Sequence, residues 1–337
     1  MTACPVRRHH LRQLAALGAG ALLVAWGTAA LAQAPGNGFP SRPVRVITPF
    51  PAGSGPDAAL RVLGEQLSKR WGQPVIVDNK PGGNGFVAVA AFRQGSSDGH
   101  DLMLLDSNHT TTHPSTFAKL PYDVQRDFSP ISMILRTPFF FAVAMDSPYK
   151  SVEDIVAAAK KKPGGVNYGS WFVGSPGHIG ALQLEKFRDV QMTHVPYKDF
   201  GQLYAAVSNK EVDFALASVA SGGPMERGGR MRFIQIAAPQ RDPLYPNVVA
   251  TGEVPALKGY NVSAWAGLFA PKQAPDAVRD KIAADIAAVM ELPEMKERNR
   301  TFGYEVPKLS PAQFNDLILA ETRDWREVIK ASNLRLD

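Results

Sequence analysis

Short apolar runs alternate along this chain with stretches in which apolar positions recur every third or fourth residue. The first run is Val44, Val46 and Ile47, ended by Pro49 and Pro51, which cannot donate to a sheet ladder. Gly53 and Gly55 then allow a tight turn, and from Asp57 onward Leu60, Leu63 and Leu67 fall on one helical stripe. Further strands are predicted at 75–77, 102–106 (LMLLD), 139–145 (FFFAVAM), 166–170, 212–218, 231–238 and 263–271 (SAWAGLFAP). Helices are predicted at 85–94, from Ser151 with Glu153 and Asp154 in the first turn, and from about Ile179. Two more close the chain. One opens at Pro275 with Val278, Ile282, Ile286 and Val289 on a stripe; the other has Ser310 as N-cap, Pro311 next and Gln313 completing a capping box. Strands joined through helices predict mostly parallel sheets, an α/β fold.

The first strand, its glycine turn and the following helix start present free N–H groups and a positive dipole end to an anion. Phosphate, carboxylate or no ligand at all fit that feature equally. The N-terminus narrows the choice. Arg7, Arg8 and Arg12 precede an apolar run from Leu14 to Leu31, which ends in Ala30-Leu31-Ala32, and together these read as a cleavable signal peptide over residues 1–32. The run is nearly long enough to span a bilayer, but its glycines, alanines and small-x-small ending favour cleavage. Arg7-Arg8 also loosely resembles a twin-arginine signal, so the export route stays open. No later segment reads as membrane-spanning, and the expected product is exported and soluble.

The single cysteine, Cys4, lies ahead of that run, so a mature chain would carry no disulfide, thiolate metal site or cysteine nucleophile. Loss of three arginines and no acids would take the net charge from +6 to +3, too mild a balance to argue for nucleic acid. The main basic cluster, Lys160–Lys162, closes a helix where cations suit the dipole, and Pro163-Gly164-Gly165 stops it. The length suggests two domains without a Ser/Gly linker between them. FFFAVAM and SAWAGLFAP, long, apolar and roughly symmetric about the middle, are the candidate crossover strands. Two α/β lobes joined in this way make a cleft faced by strand C-termini and helix N-termini, where open α/β sheets bind ligands.

PFPAGSGPD, VDNKPGGNG, LPYDVQRDFSPIS, NYGS with VGSPGH, HVPYK and WAGLFAP occur here in order. In these motifs, from about Phe39 to the C-terminus, the chain resembles the Bug-type substrate-binding proteins of tripartite tricarboxylate transporters. The resemblance implies a periplasmic, two-lobed type II "Venus flytrap", with residues 38–140 plus 265–337 as one lobe and 141–264 as the other. It implies capture of a small carboxylate for a membrane permease, by a monomer, without catalysis, cofactor or resident metal. Phe50, Pro51, Ala52, Gly53 and Ser54 would form the loop that holds a ligand carboxylate, with Asp57 capping the helix and aiming the amides. Ser170, Trp171, Gly174, Ser175 and His178 match the loop of the second lobe that closes over it. Ser107 and Asn108 stand at a third strand end and Ser218 at a fourth.

Departures from the family pattern bear on the ligand. Ser54 stands where a glycine is usual, Pro56 removes one donor, and Trp171-Phe172 replaces small residues. Asp199-Phe200-Gly201 follows HVPYK in place of the usual Pro-containing turn. Aromatics at the mouth favour an aromatic or medium-chain carboxylate; against this stands the reading that both rings pack onto the lobe. Rival functions are an exported hydrolase, a metal site and a dinucleotide fold. No G-x-S-x-G occurs, although His178 near Ser175 allows a dyad. His109 and His113 have helical spacing, but Thr110–Thr112 and Pro114 argue against a helix there. Gly83-Asn84-Gly85 lacks the third glycine of a dinucleotide loop. A receptor in place of a permease remains the alternative partner.

Overall fold

The computed structural model describes residues 38–332 and 334–336, so the signal-peptide and Cys4 readings lie outside the described residues. All elements below fall within the compact unit Pro40–Asp337. The first half of the chain builds β1 (Val44–Thr48), α1 (Gly55–Trp71), β2 (Val75–Asn79), α2 (Phe86–Arg93), β3 (Asp101–Asp106) and β4 (Phe128–Pro138). The middle builds β5 (Phe140–Ala144), α3 (Val152–Lys161), β6 (Asn167–Ser170), α4 (Pro176–Arg188), β7 (Thr193–Pro196) and α5 (Phe200–Ser208). The last part builds β8 (Phe214–Ala217), α6 (Val219–Arg227), β9 (Met231–Ile236), β10 (Ser263–Pro271), α7 (Asp276–Met290), α8 (Pro293–Phe302) and α9 (Pro311–Ala331). Among the described residues no helix is long and apolar enough to cross a membrane.

Two five-stranded sheets result, ordered β2-β1-β3-β10-β4 and β7-β6-β8-β5-β9. In the first, β1 pairs parallel with β2 and β3, while β10 runs antiparallel to β3 and β4. The second repeats the scheme: β6 is parallel to β7 and β8, and β5 is antiparallel to β8 and β9. In each sheet the reversed strand arrives directly from the other sheet, which is why the sheets are mixed, not purely parallel. Phe139 lies between β4 of one sheet and β5 of the other, and Val262 immediately precedes β10. These crossing points are tied together by main-chain bonds, Phe139 N–H to Val262 O (3.1 Å), Val262 N–H to Ala237 O (2.9 Å) and Ala237 N–H to Phe139 O (2.8 Å).

Both faces of β5 are buried, which explains its unbroken apolar run. Phe139, Phe141 and Val143 enter one core with Tyr168 and Phe214, while Phe140 and Ala142 enter another with Tyr204 and Phe233. The first sheet packs Ile47, Met103, Leu105, Phe128, Trp265, Phe269 and Phe314. The capping box at Ser310 (with Gln313) forms as predicted, and the predicted N-cap Ser151 goes further, forming a box with Asp154. Three differences stand out. α4 begins at Pro176, not near Ile179. Three helices, not two, close the chain, because α8 has no apolar stripe and buries only Met295. β4, eleven residues long, is not among the predicted strands, and neither are the short β7, α5 and α6 among the predicted elements.

Candidate functional site

Parallel pairing of β1, β2 and β3 puts their C-terminal ends on one edge of the first sheet. The loop after β1 is held by Asp57. Its Oδ2 accepts the Gly53 N–H (2.7 Å) and Arg61 Nε–H (2.9 Å), and its Oδ1 accepts from Asn79 Nδ2 (2.7 Å). Asn79 also donates to the Phe50 carbonyl (3.0 Å). Burial alone would raise the Asp57 pKa; the bonds from Arg61, Asn79 and Gly53 outweigh it and hold the carboxyl below its usual range. Gly53 sits at φ +81°, a backbone region unfavourable to a side chain. One expectation is corrected: the N-cap of α1 is Ser54, not Asp57. Asp57 acts from inside the first turn, bonding back to the loop. Ser54 makes no capping bond, and its hydroxyl oxygen is covered and without a partner. The first intrahelical bond is Ala58 N–H to Ser54 O (2.8 Å), so the Gly55 and Asp57 N–H groups stand ahead of the ladder, with Pro56 contributing none.

After β3 the structure departs from expectation. Asn108–Thr112 forms a π-helical turn that continues as an α-helical turn, His113–Thr116. Thr111 and Thr112 donate to the carbonyls of Ser107 (2.7 Å) and Asn108 (2.9 Å) four residues back, and Thr110 to that of Asp106 (3.0 Å). Buried threonines therefore satisfy their own hydroxyls inside the helix and override the weak propensity of the segment. Ser107 and Asn108 are buried here, with the Asn108 side chain taken up by the Thr112 hydroxyl. His109 points its Nδ1 at Asp106 (2.5 Å) and its ring edge-on to Phe50, while a methyl on Gly85 would fall 2.2 Å from its Nε2. His113 donates to the Tyr122 hydroxyl (3.1 Å), which donates to the His109 carbonyl (2.6 Å). Burial, with His109 adding to it, pushes the His113 pKa down to about 3. Among the described residues no group of three His, Cys, Asp or Glu is arranged to hold a metal ion.

In the second sheet, β6 and β8 likewise end beside the starts of α4 and α6. Ser175 caps α4 by accepting the His178 N–H (3.3 Å), and its own N–H donates to the Phe172 carbonyl (3.2 Å). The Gly174 N–H donates to His178 Nδ1 (2.9 Å), so that nitrogen carries no proton. The sequence-level Ser175–His178 dyad is therefore absent. His178 stacks on His194 with ring centres 3.8 Å apart, and burial, reinforced by His194, lowers its pKa to about 3. His194 donates to Ser170 Oγ (2.7 Å), whose own proton goes to the Phe172 carbonyl (2.9 Å). Ser218 caps α6 in a box with Ser221. Trp171 is partly buried and packs against both cores of this sheet. Phe172 is not packed away: it stays 45% exposed, as does Phe200 at 40%, which meets Trp171 at 4.9 Å.

Two short segments bring the loops of the two sheets together. Gly303 meets the start of α6, and its neighbour Tyr304 meets the start of α1. Leu336 packs its side chain against Gly174 while its N–H bonds the Thr116 carbonyl (3.0 Å). The sequence reading missed His109 as a strand-end group, and it missed Gly303, Tyr304 and Leu336 altogether. His109 was legible from its place just after β3; the other three lie far from any strand end and gave no local signal. A cavity of about 900 Å³ also opens behind Tyr304, lined by α7, α8 and the 303–310 segment, with Asp242 to Leu244 opposite. It touches none of the four strand-end loops.

Two α/β lobes joined by paired crossings, with the α1 start in one and the α6 start in the other meeting Tyr304 and Gly303, define a two-lobed α/β fold of the periplasmic binding-protein kind. The family described as "Tripartite tricarboxylate transporter family receptor" matches residues 59–334, and the chain belongs to that family. It is 29% identical over 293 residues to a UPF0065 protein from the tcbD–tcbE intergenic region of Pseudomonas sp. strain P51, covering 87% of each chain. The fold matches R. palustris Rpa4515 with adipate at TM-score 0.78 and 24% identity, covering 88% of this chain and 99% of that one. It also matches MatC (Rpa3494) from Rhodopseudomonas palustris with bound malate at TM-score 0.74 and 27% identity, covering 86% and 100%.

Proposed function

We propose that this chain is a periplasmic, monomeric receptor that captures a small organic carboxylate with an apolar body and hands it to a tripartite tricarboxylate-type permease. The observation that carries the reading is the placement of the α1 and α6 starts, one from each sheet, against the consecutive residues Tyr304 and Gly303. Unbonded N–H groups at those helix starts favour an anion, and no lysine or arginine stands among the predicted contact residues to favour a doubly charged one. Family membership and the malate of the 27% identical MatC structure support a carboxylate. The exposed rings of Phe172 and Phe200 beside the Ser170–Ser175 loop support an aromatic or medium-chain body. Asp57 and Asn79 fix one loop and Ser175 with Gly174 the other, so ligand specificity falls to these neighbouring side chains.

The test is a thermal-shift screen over mono-, di-, tri- and aromatic carboxylates followed by calorimetry. Benzoate- or hexanoate-like acids are expected to bind more tightly than malate. Tight binding confined to small hydrophilic diacids overturns the apolar part, and no response to any carboxylate overturns the whole reading.

A further inference from the structure

Tyr304 belongs to none of the strand-end loops, yet its side chain reaches one of them. A methyl group on Gly55, the first residue of α1, would lie 2.5 Å from the Tyr304 hydroxyl oxygen. On one side of Tyr304, a methyl on Gly303 would lie 2.8 Å from Val219 Cγ2 at the start of α6. On the other side, Glu305 exchanges two main-chain bonds with Arg136 (2.7 and 2.8 Å), three residues before the crossing at Phe139. Phe302 stacks on the Tyr304 ring with centres 5.7 Å apart. The phenol thereby stands at the α1 start, on a segment whose preceding residue meets the α6 start.

Its oxygen bonds no described residue, yet it is absent from the covered, unpartnered polar atoms, so it stays open. Burial of the ring pushes its pKa up to about 12, which keeps the proton in place at neutral pH. A phenol O–H beside free helix N–H groups is a donor whose strongest complement is an anionic oxygen. We propose that Tyr304 is a ligand-binding residue, donating its O–H to the same carboxylate that the Gly55 and Asp57 N–H groups face. The proposal rests on the carboxylate reading above and adds a side-chain donor to it. It also explains Gly55, since any side chain there would displace the phenol.

Malate, adipate, benzoate and hexanoate serve as calorimetric probes. Tyr304→Phe keeps the ring and removes only the oxygen; it is expected to weaken every probe that binds the wild type about 5- to 10-fold, with an unchanged unfolding midpoint. Gly55→Ala, which pushes the phenol aside, is expected to lose affinity as well. Retention of wild-type affinity by Tyr304→Phe, while Ser175→Ala loses it, overturns the assignment and leaves the site intact. Binding of none of the four probes to the wild type brings down the carboxylate reading and the assignment together. In wild-type protein carrying ¹³Cζ-tyrosine, the Tyr304 resonance, assigned by its loss in Tyr304→Phe, should shift on saturation; a stationary resonance overturns the proposal.

Discussion

Ser54, at the N-cap of α1, sits in an environment that shows a cost. The hydroxyl is covered, makes no capping bond and has no partner. An unmet buried hydroxyl destabilises by about 1–3 kcal/mol, so Ser54→Ala should raise the stability of the ligand-free protein by ~1 kcal/mol. For a chain of this size that is about 2 °C in unfolding midpoint. If the hydroxyl turns to meet the ligand, the same variant should lose affinity several-fold by calorimetry. Higher stability with unchanged affinity would show that Ser54 has no role in binding. Asp57 was legible as an acid at a helix start, but not as the tie that holds Gly53, Arg61 and Asn79. Such a role depends on Asn79, 22 residues away, being brought alongside by β1–β2 pairing.

At the scale of elements, strands and helices with regular apolar spacing were legible, and so were the Ser151 cap and the Ser310 capping box. What failed was the segment 108–116. Its threonines read as poor helix formers, which is right for a solvated peptide and wrong for a buried one whose hydroxyls return to their own carbonyls. α8 failed for the opposite reason, lacking an apolar face to read. The buried helical turn that follows the π-turn carries a consequence for pH. His113 has a folded pKa of about 3, below the ordinary imidazole value of 6.5. Between those values the unfolded chain binds a proton that the native ring refuses, so stability is complete above about pH 6.5 and falls as the pH drops. One ring contributes at most ~1.4 kcal/mol per pH unit in that window. Denaturant titrations at pH 7 and pH 5 should therefore show a smaller loss in His113→Gln than in the wild type. Equal losses would mean that His113 takes up its proton without unfolding.

At the scale of the molecule, the two sheets share one strand order because each lends the other its reversed strand, β5 or β10. Phe139, Ala237 and Val262 bond to one another where the chain crosses, so a rotation of one lobe on the other must turn about this narrow ladder. A ligand that touches both lobes shifts the population toward the closed form by its differential contacts. Gly303 is the place to test this without touching the ligand. It adopts φ +64°, and an added methyl would come within 2.8 Å of Val219 on the other lobe. Gly303→Ala should thus oppose closure through the interlobe overlap, at a cost of ~1–2 kcal/mol, while the backbone strain weighs on open and closed forms alike. The expected result is carboxylate binding weakened about 5- to 30-fold, with a smaller contraction on saturation by small-angle scattering than in the wild type. Wild-type affinity and full contraction in Gly303→Ala would show that the Gly303–Val219 contact is not part of the closed state. Contraction absent in the wild type at saturation would mean that the lobes are already closed before the ligand arrives.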